Sequence, residues 1–453
     1  MKKCLWCVFG LGALMIALLA VGVLPTAEAS SGTKIDAIGQ QGPYAIGFAS
    51  YVLTDNSRPD PYGGTGGRRI PVYIWYPVDP ETVTASTPRA GYPLDMINMP
   101  SEISSSEEWE AMGYDPAYQE PVPSGKGPFP VLLMSSGGMT PAWFLTGYGT
   151  RLASHGFVVA IPDHIDDPPW FGWEPWATDH VTRNMWNRPR DLSFVLTDLE
   201  QRNCAAGDLL CGAIDPSRVA ASGWSVGGYA AIVLAGGDDT VWDIGETDPN
   251  AIYYGPIPES VPHTPSLPDP RIKAIVTLDG NNALLKFQEL ARVKVPTLVL
   301  AEEWDTVLTA WSFYPAWQAR AHAAFSGHPN YRVDITGTNH YSFAGFCDAL
   351  NVMEAHGFES IPGWDTIENM RAGLCVGVIP PAEGRAIITR YMLAFLKTNL
   401  LGETGYQPML TPGWALTQET LVEFFETEKR NPNSIYEEWP DFSVYFAHQP
   451  GSK

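Results

Sequence analysis

Apolar and polar positions along the chain follow two rhythms. Short apolar runs bounded by Gly, Pro, Asn, Asp or Ser alternate with stretches whose apolar residues recur every three or four positions. Pro128–Met134, Phe157–Ile161, Val219–Ala221, Ile272–Asp279, Val295–Ala301 and Tyr331–Ile335 read as buried strands. Trp143–His155, Asp191–Gln201, Ala230–Ala235, Trp311–Phe325 and Ala382–Thr398 read as helices. Strands and helices alternating in this way predict βαβ units and a parallel sheet. Ahead of them, Tyr44–Leu53 and Arg69–Pro77 flank a stretch dense in turn formers, which predicts a β-hairpin opening the sheet. Three stretches read as insertions: 80–127, with a weak helical patch near Glu107–Met112, then 163–187 and 237–270. Beyond Leu401 the pattern predicts one more helix, about Thr417–Lys429, and an aromatic tail. The expected fold class is α/β: a mostly parallel central sheet with helices on both faces, spanning 30–400, with 401–453 as a C-terminal extension.

The composition narrows the class. A chain of 453 residues, 45% hydrophobic, can bury a large core, and a formal net charge of −22 argues against nucleic acid or an anionic membrane surface as a partner. Lys2-Lys3, the apolar run Cys4–Leu24 and Thr26-Ala27-Glu28-Ala29 have the layout of a secretory signal cleaved after Ala29. Secretion or export to the periplasm is therefore expected, with no membrane span left after cleavage. An uncleaved anchor is the rival reading, because the apolar run is long. Cleavage would leave four cysteines, an even number that suits an oxidising compartment, and local pairing predicts Cys204–Cys211 and Cys347–Cys375. There is no phosphate-binding loop, dinucleotide fingerprint or His-Glu-x-x-His, so no cofactor and no metal is expected. The acidic loop with Asp163, His164, Asp166, Asp167, Asp179 and His180 has no distinctive ligand spacing and reads as a solvated face.

The chemistry concentrates at Gly223-Trp-Ser-Val-Gly227, between the Val219–Ala221 strand and the Ala230–Ala235 helix. Strand, Gly-x-Ser-x-Gly, helix is the setting of a nucleophile elbow, in which Ser225 projects its hydroxyl clear of a sharp turn. A serine hydroxyl needs a base to take its proton, and the base needs an acid to fix its tautomer. In such sheets these follow in the order serine, acid, histidine. His322, His328, His340, His356 and His448 follow both candidate acids. Of these, His340 stands on a Gly-containing loop at the C-terminal end of the last core strand, where such sheets gather catalytic groups. Asp279 and Asp305 each end a strand after the elbow, and spacing leaves both open as the acid. The oxyanion donors are expected at the backbone N–H groups of Val226 and Gly138, the latter in the loop after Val131–Met134. Trp170, Trp173 and Trp176 either line a substrate cleft or pack a long loop onto the sheet.

Several separated stretches bear a family likeness. Arg69–Pro77, Leu152–Ala160, Asn187–Val195, Gly223–Gly228, Thr277–Gly280 and His340–Phe343 together resemble the platelet-activating-factor acetylhydrolase and dienelactone-hydrolase-like group of α/β-hydrolases, over about 40–400. In the acetylhydrolase branch the acid lies in a Leu-Asp pair directly after the strand that follows the elbow. Leu278-Asp279 is similar, so the resemblance implies Asp279. Pro296–Thr306 instead looks like the acid-bearing loop of cutinase-type and dienelactone-type relatives, which keeps Asp305 open. Dienelactone hydrolases use a cysteine nucleophile where this chain has serine. The acetylhydrolase loop reads Ser-His-Gly where this chain has Ser135-Ser136-Gly137. The implied activity is that of a secreted, esterase- or lipase-like serine hydrolase cleaving a small-molecule, lipid or polymer ester. An amidase or peptidase with the same triad, or a silent ligand-binding relative, are the alternatives.

Overall fold

In a computed structural model of the chain, the described residues are 35 and 37–426, except 61–65, 95–101, 139, 167–177, 238–267, 283–284, 286, 303–313, 361–367, 370 and 373. Of the segments read from the sequence, the leader, the Trp170–Trp176 loop, Asp305 and the tail beyond 426 lie outside them.

Strands β1 (Ala45–Pro59) and β2 (Gly67–Val78) form the antiparallel hairpin that the turn-rich stretch predicts. Short strands β3 (Gly91–Pro93) and β4 (Ile103–Ser105) pair with each other. The core continues with β5 (Ala117–Gln119), β6 (Phe129–Ser135), β7 (Val158–Pro162) and β8 (Ile214–Trp224). After these come β9 (Ile272–Leu278), β10 (Thr297–Glu302), β11 (Asn330–Ile335) and β12 (Val422–Glu426). Ten of the strands make one sheet, ordered β12-β11-β10-β9-β8-β6-β7-β2-β1-β5. The run from β11 through β10, β9, β8 and β6 to β7 is parallel throughout, and β2 joins β7 antiparallel. A parallel sheet is covered on both faces, which is why its strands are near-continuous apolar runs. Alternation within one strand shows both covers. Leu132 and Met134 of β6 point into a core shared with helix Pro381–Asn399, and Val131 and Leu133 into one shared with helix Val226–Leu234.

Three details differ from the sequence reading. Residues 80–127 do more than lie on the surface. Tyr92 and Trp109 are fully buried, Tyr92 packs edge-on against Phe48 with ring centroids 4.8 Å apart, and β5 extends the sheet beside β1. Aromatic residues scattered among polar ones give no periodic signal, yet each brings a large apolar area to bury. The helix expected over 417–429 is instead helix Pro412–Gln418 followed by β12, which pairs antiparallel with β11 and buries Phe424 against Tyr331, 5.3 Å between centroids. Of the two expected disulfides, Cys347–Cys375 is formed, whereas Cys204 and Cys211 are exposed free thiols. Hydrogen bonds close that second loop. Asn203 exchanges side-chain bonds of 2.9 Å with both backbone groups of Ile214 and accepts from the Gly212 N–H at 2.9 Å.

Candidate active site

The site is assembled at the C-terminal ends of β6, β8, β9, β10 and β11. Ser225 follows β8 directly and precedes helix Val226–Leu234 with φ 54° and ψ −120°. A positive φ at a residue with a Cβ costs energy and persists only where surrounding contacts impose it. Here they do: the Ser225 N–H donates to Leu278 O (3.2 Å), and Ser225 O accepts from Asn281 N (2.7 Å) and Gly228 N (2.9 Å). Gly227 allows the turn to seat against the neighbouring strand, since a Cβ there would lie 2.0 Å from Ser135 O. Ser225 is 7% exposed.

Asp279 follows β9 and also has a positive φ, 44°. Its N–H donates to Leu300 O (2.7 Å), locking it to β10. The strained backbone aims a fully buried carboxyl at His340, whose Nδ1 lies 2.5 Å from Asp279 Oδ2. His340 follows β11 in a loop shaped by Asn339, whose side chain accepts from the N–H groups of Tyr341 (3.1 Å) and Ser342 (3.2 Å). The Trp224 indole, one residue before Ser225, donates to His340 O (2.8 Å), and its ring lies 5.0 Å from the imidazole. Thus Asp279 and His340 are in contact, and a single tryptophan links the histidine to the elbow. Asp305 lies outside the described residues.

Burial drives the His340 imidazolium down to about 3, leaving a neutral ring at ordinary pH. Burial also raises the Asp279 carboxyl well above its usual range, opposed by the Glu302 backbone N–H and reinforced by Asp334. Among the described residues, Asp279 Oδ1 has no partner within ordinary hydrogen-bond geometry. Glu302, the last residue of β10, is 3% exposed and accepts from the His340 backbone N–H. Burial, with Asp279 adding to it, pushes the Glu302 carboxyl up to about 9, so it is neutral at pH 7. This residue was missed in the sequence, where it merely ends an apolar run.

Gly138 and Val226, the two expected oxyanion donors, are neighbours: a Cβ on Gly138 would stand 3.5 Å from Val226 Cγ2. Beneath the Ser135–Thr140 loop lies a buried charge network. Asp163 accepts from Ala142 N, Asp166 pairs with Arg68 (2.7 Å), and His164 sits between Asp191 (Nδ1, 2.9 Å) and Ser135 (Nε2, 2.9 Å). The expected solvated face is therefore buried at Asp163, His164 and Asp166, because Arg58, Arg68 and Arg188 bring the opposing charge inward from elsewhere in the chain. Burial works to raise Asp191, but Arg68 and Arg58 hold it well below the ordinary carboxylate range. Burial, then Arg188, lowers His164 to about 3. Among the described residues, no group of three His, Cys, Asp or Glu side chains is placed to hold a metal ion.

No protein-family model matches the chain, and no curated protein matches it. Among solved structures, a ferulic acid esterase from Streptomyces cinnamoneus is similar with a TM-score of 0.55 and 21% identity, over 85% of this chain and 97% of that one. At that identity the likeness shows the fold: this chain shares the α/β architecture of that esterase.

Proposed function

We propose that the chain is a serine hydrolase of carboxylic esters. The observation that carries this reading is the Asp279–His340 contact at 2.5 Å on the sheet edge that also bears Ser225 in its strained turn. In this mechanism the neutral His340 Nε2 takes the Ser225 Oγ proton as the oxygen attacks the ester carbonyl. Asp279 holds Nδ1–H and stabilises the imidazolium that forms. The N–H groups of Val226 and Gly138 stabilise the oxyanion. His340 then returns the proton to the departing alkoxide, leaving an acyl group on Ser225, and a water activated by the same histidine releases the acid.

The resemblance to platelet-activating-factor acetylhydrolase and dienelactone-hydrolase-like enzymes supports Asp279 as the acid. The esterase neighbour makes esters of aromatic acids a class to test beside acetyl, acyl-lipid and polymer esters. The leader supports export, to the periplasm or outside the cell. A panel of p-nitrophenyl esters and methyl ferulate, with wild type and Ser225→Ala, tests the proposal. Hydrolysis lost in the variant is expected; a folded wild type inert on all of them, or a variant as active as wild type, contradicts it.

A further inference from the structure

We propose that Arg188 is a positioning residue that sets the direction of the oxyanion donor at Gly138, an inference that rests on the hydrolase reading above. Arg188 is wholly buried in helix Thr178–Cys204, far in sequence from the loop it serves. Its Nε donates to Asn184 Oδ1 (2.5 Å), which fixes the plane of the guanidinium. Its Nη1 donates to Ser135 Oγ (3.1 Å) and to Ser136 O, and its Nη2 to Gly137 O (2.8 Å). One rigid fork thus grips two successive carbonyls of the loop after β6.

Peptide geometry gives that grip a consequence. In a trans peptide the C=O and the next N–H point in opposite directions. Holding Gly137 O on Arg188 therefore turns the Gly138 N–H away from the guanidinium. Val226, the other proposed donor, is the residue that Gly138 neighbours. A Gly-Gly peptide has little intrinsic preference for one orientation, so the direction has to be imposed from outside. The Thr140 hydroxyl supplies a second hold, donating to the same Gly137 O at 2.9 Å, while Ser136 Oγ donates to Thr140 O at 2.6 Å and closes the turn. Ser135 Oγ, accepting from Arg188 and facing His164, ties this grip to the buried charge network. Arg188 is thus placed to act on the transition state through the loop.

Arg188→Lys keeps the charge and loses the fork, and Thr140→Val removes the second donor to Gly137 O. Each would be measured for kcat and KM on a p-nitrophenyl ester and for inhibition by a trifluoromethyl ketone, whose tetrahedral adduct needs the oxyanion donors. Arg188→Lys is expected to lower kcat on the order of a hundredfold. KM should stay within about threefold, and inhibitor affinity should fall by the same factor as kcat/KM. Thr140→Val should shift both readings the same way by about tenfold. A merely structural arginine would lower the melting temperature without this parallel loss. Arg188→Lys decides where it folds; where it does not, Thr140→Val decides by the same two readings. Unchanged kcat and inhibitor affinity in the deciding variant, with a wild type that a fluorophosphonate labels, overturns this inference alone. A folded wild type that is not labelled overturns the hydrolase reading and this inference with it.

Discussion

In the proposed mechanism the Asp279 carboxylate does two things for His340, and replacing it by asparagine separates them. The side chain is fully buried and contacts Nδ1 at 2.5 Å, so the amide has only two ways to sit. With its NH2 toward the ring, Nδ1 must accept and Nε2 carries the proton. The base then has no lone pair for Ser225, and the loss is about 10⁴ in kcat, as for the equivalent change in serine proteases. With its oxygen toward the ring the tautomer survives but the charge is gone. At an effective dielectric constant of about 20, opposite charges about 4 Å apart attract by about 4 kcal/mol, which is about a thousandfold in rate. Both orientations therefore predict a fall of about 10³ to 10⁴ in kcat, with KM little changed. The assay is p-nitrophenyl ester hydrolysis near pH 7.5, with Ser225→Ala as the floor and a melting curve to show that the variant folds. Asp305→Asn, measured alongside, should stay near wild type. A folded Asp279→Asn within tenfold of wild type would contradict a triad role for Asp279, and loss in Asp305→Asn instead would move the acid to that residue.

Glu302→Gln keeps an acceptor for the His340 N–H and removes a carboxyl raised to about 9. Because the folded state holds this proton more tightly than the unfolded chain, stability from it is full below about 4.5 and is lost as pH rises through 9. The variant should melt higher than wild type at pH 9 and gain less, or nothing, at pH 5; a melting difference independent of pH would contradict the assignment. Cys347→Ser opens a loop of 28 residues and should cost about 3–4 kcal/mol in urea unfolding, whereas Cys204→Ser should cost under about 0.5 kcal/mol. Gly227→Ala drives a Cβ onto Ser135 O and should destabilise by about 3 kcal/mol or more, read from the same titration.

Much of the candidate site was legible because its signals are local. Gly223–Gly227 sits between an apolar strand and a small-residue helix, and His340 directly follows the last parallel strand. Asp279 ends its own strand, though choosing it over Asp305 required the family resemblance. The hairpin and the parallel sheet were legible for the same reason. What escaped reading depends on contacts distant in sequence. Arg188 looks like one more polar residue in Asn187-Arg-Pro-Arg-Asp191 until the carbonyls of Ser136 and Gly137 are found on it, more than fifty positions away. Glu302 gains meaning only when β9 and β11 flank β10 and place its carboxyl beside Asp279 and His340. The last strand was read as a helix because Val422–Glu426 is short and its pairing partner lies some ninety residues earlier.

The most direct test is covalent labelling of the purified protein with a fluorophosphonate, followed by peptide mass spectrometry of wild type and Ser225→Ala. A single adduct on Ser225, absent from the variant, is the predicted result. A folded wild type that takes up no label, or label that persists in Ser225→Ala, would contradict a serine nucleophile at this elbow.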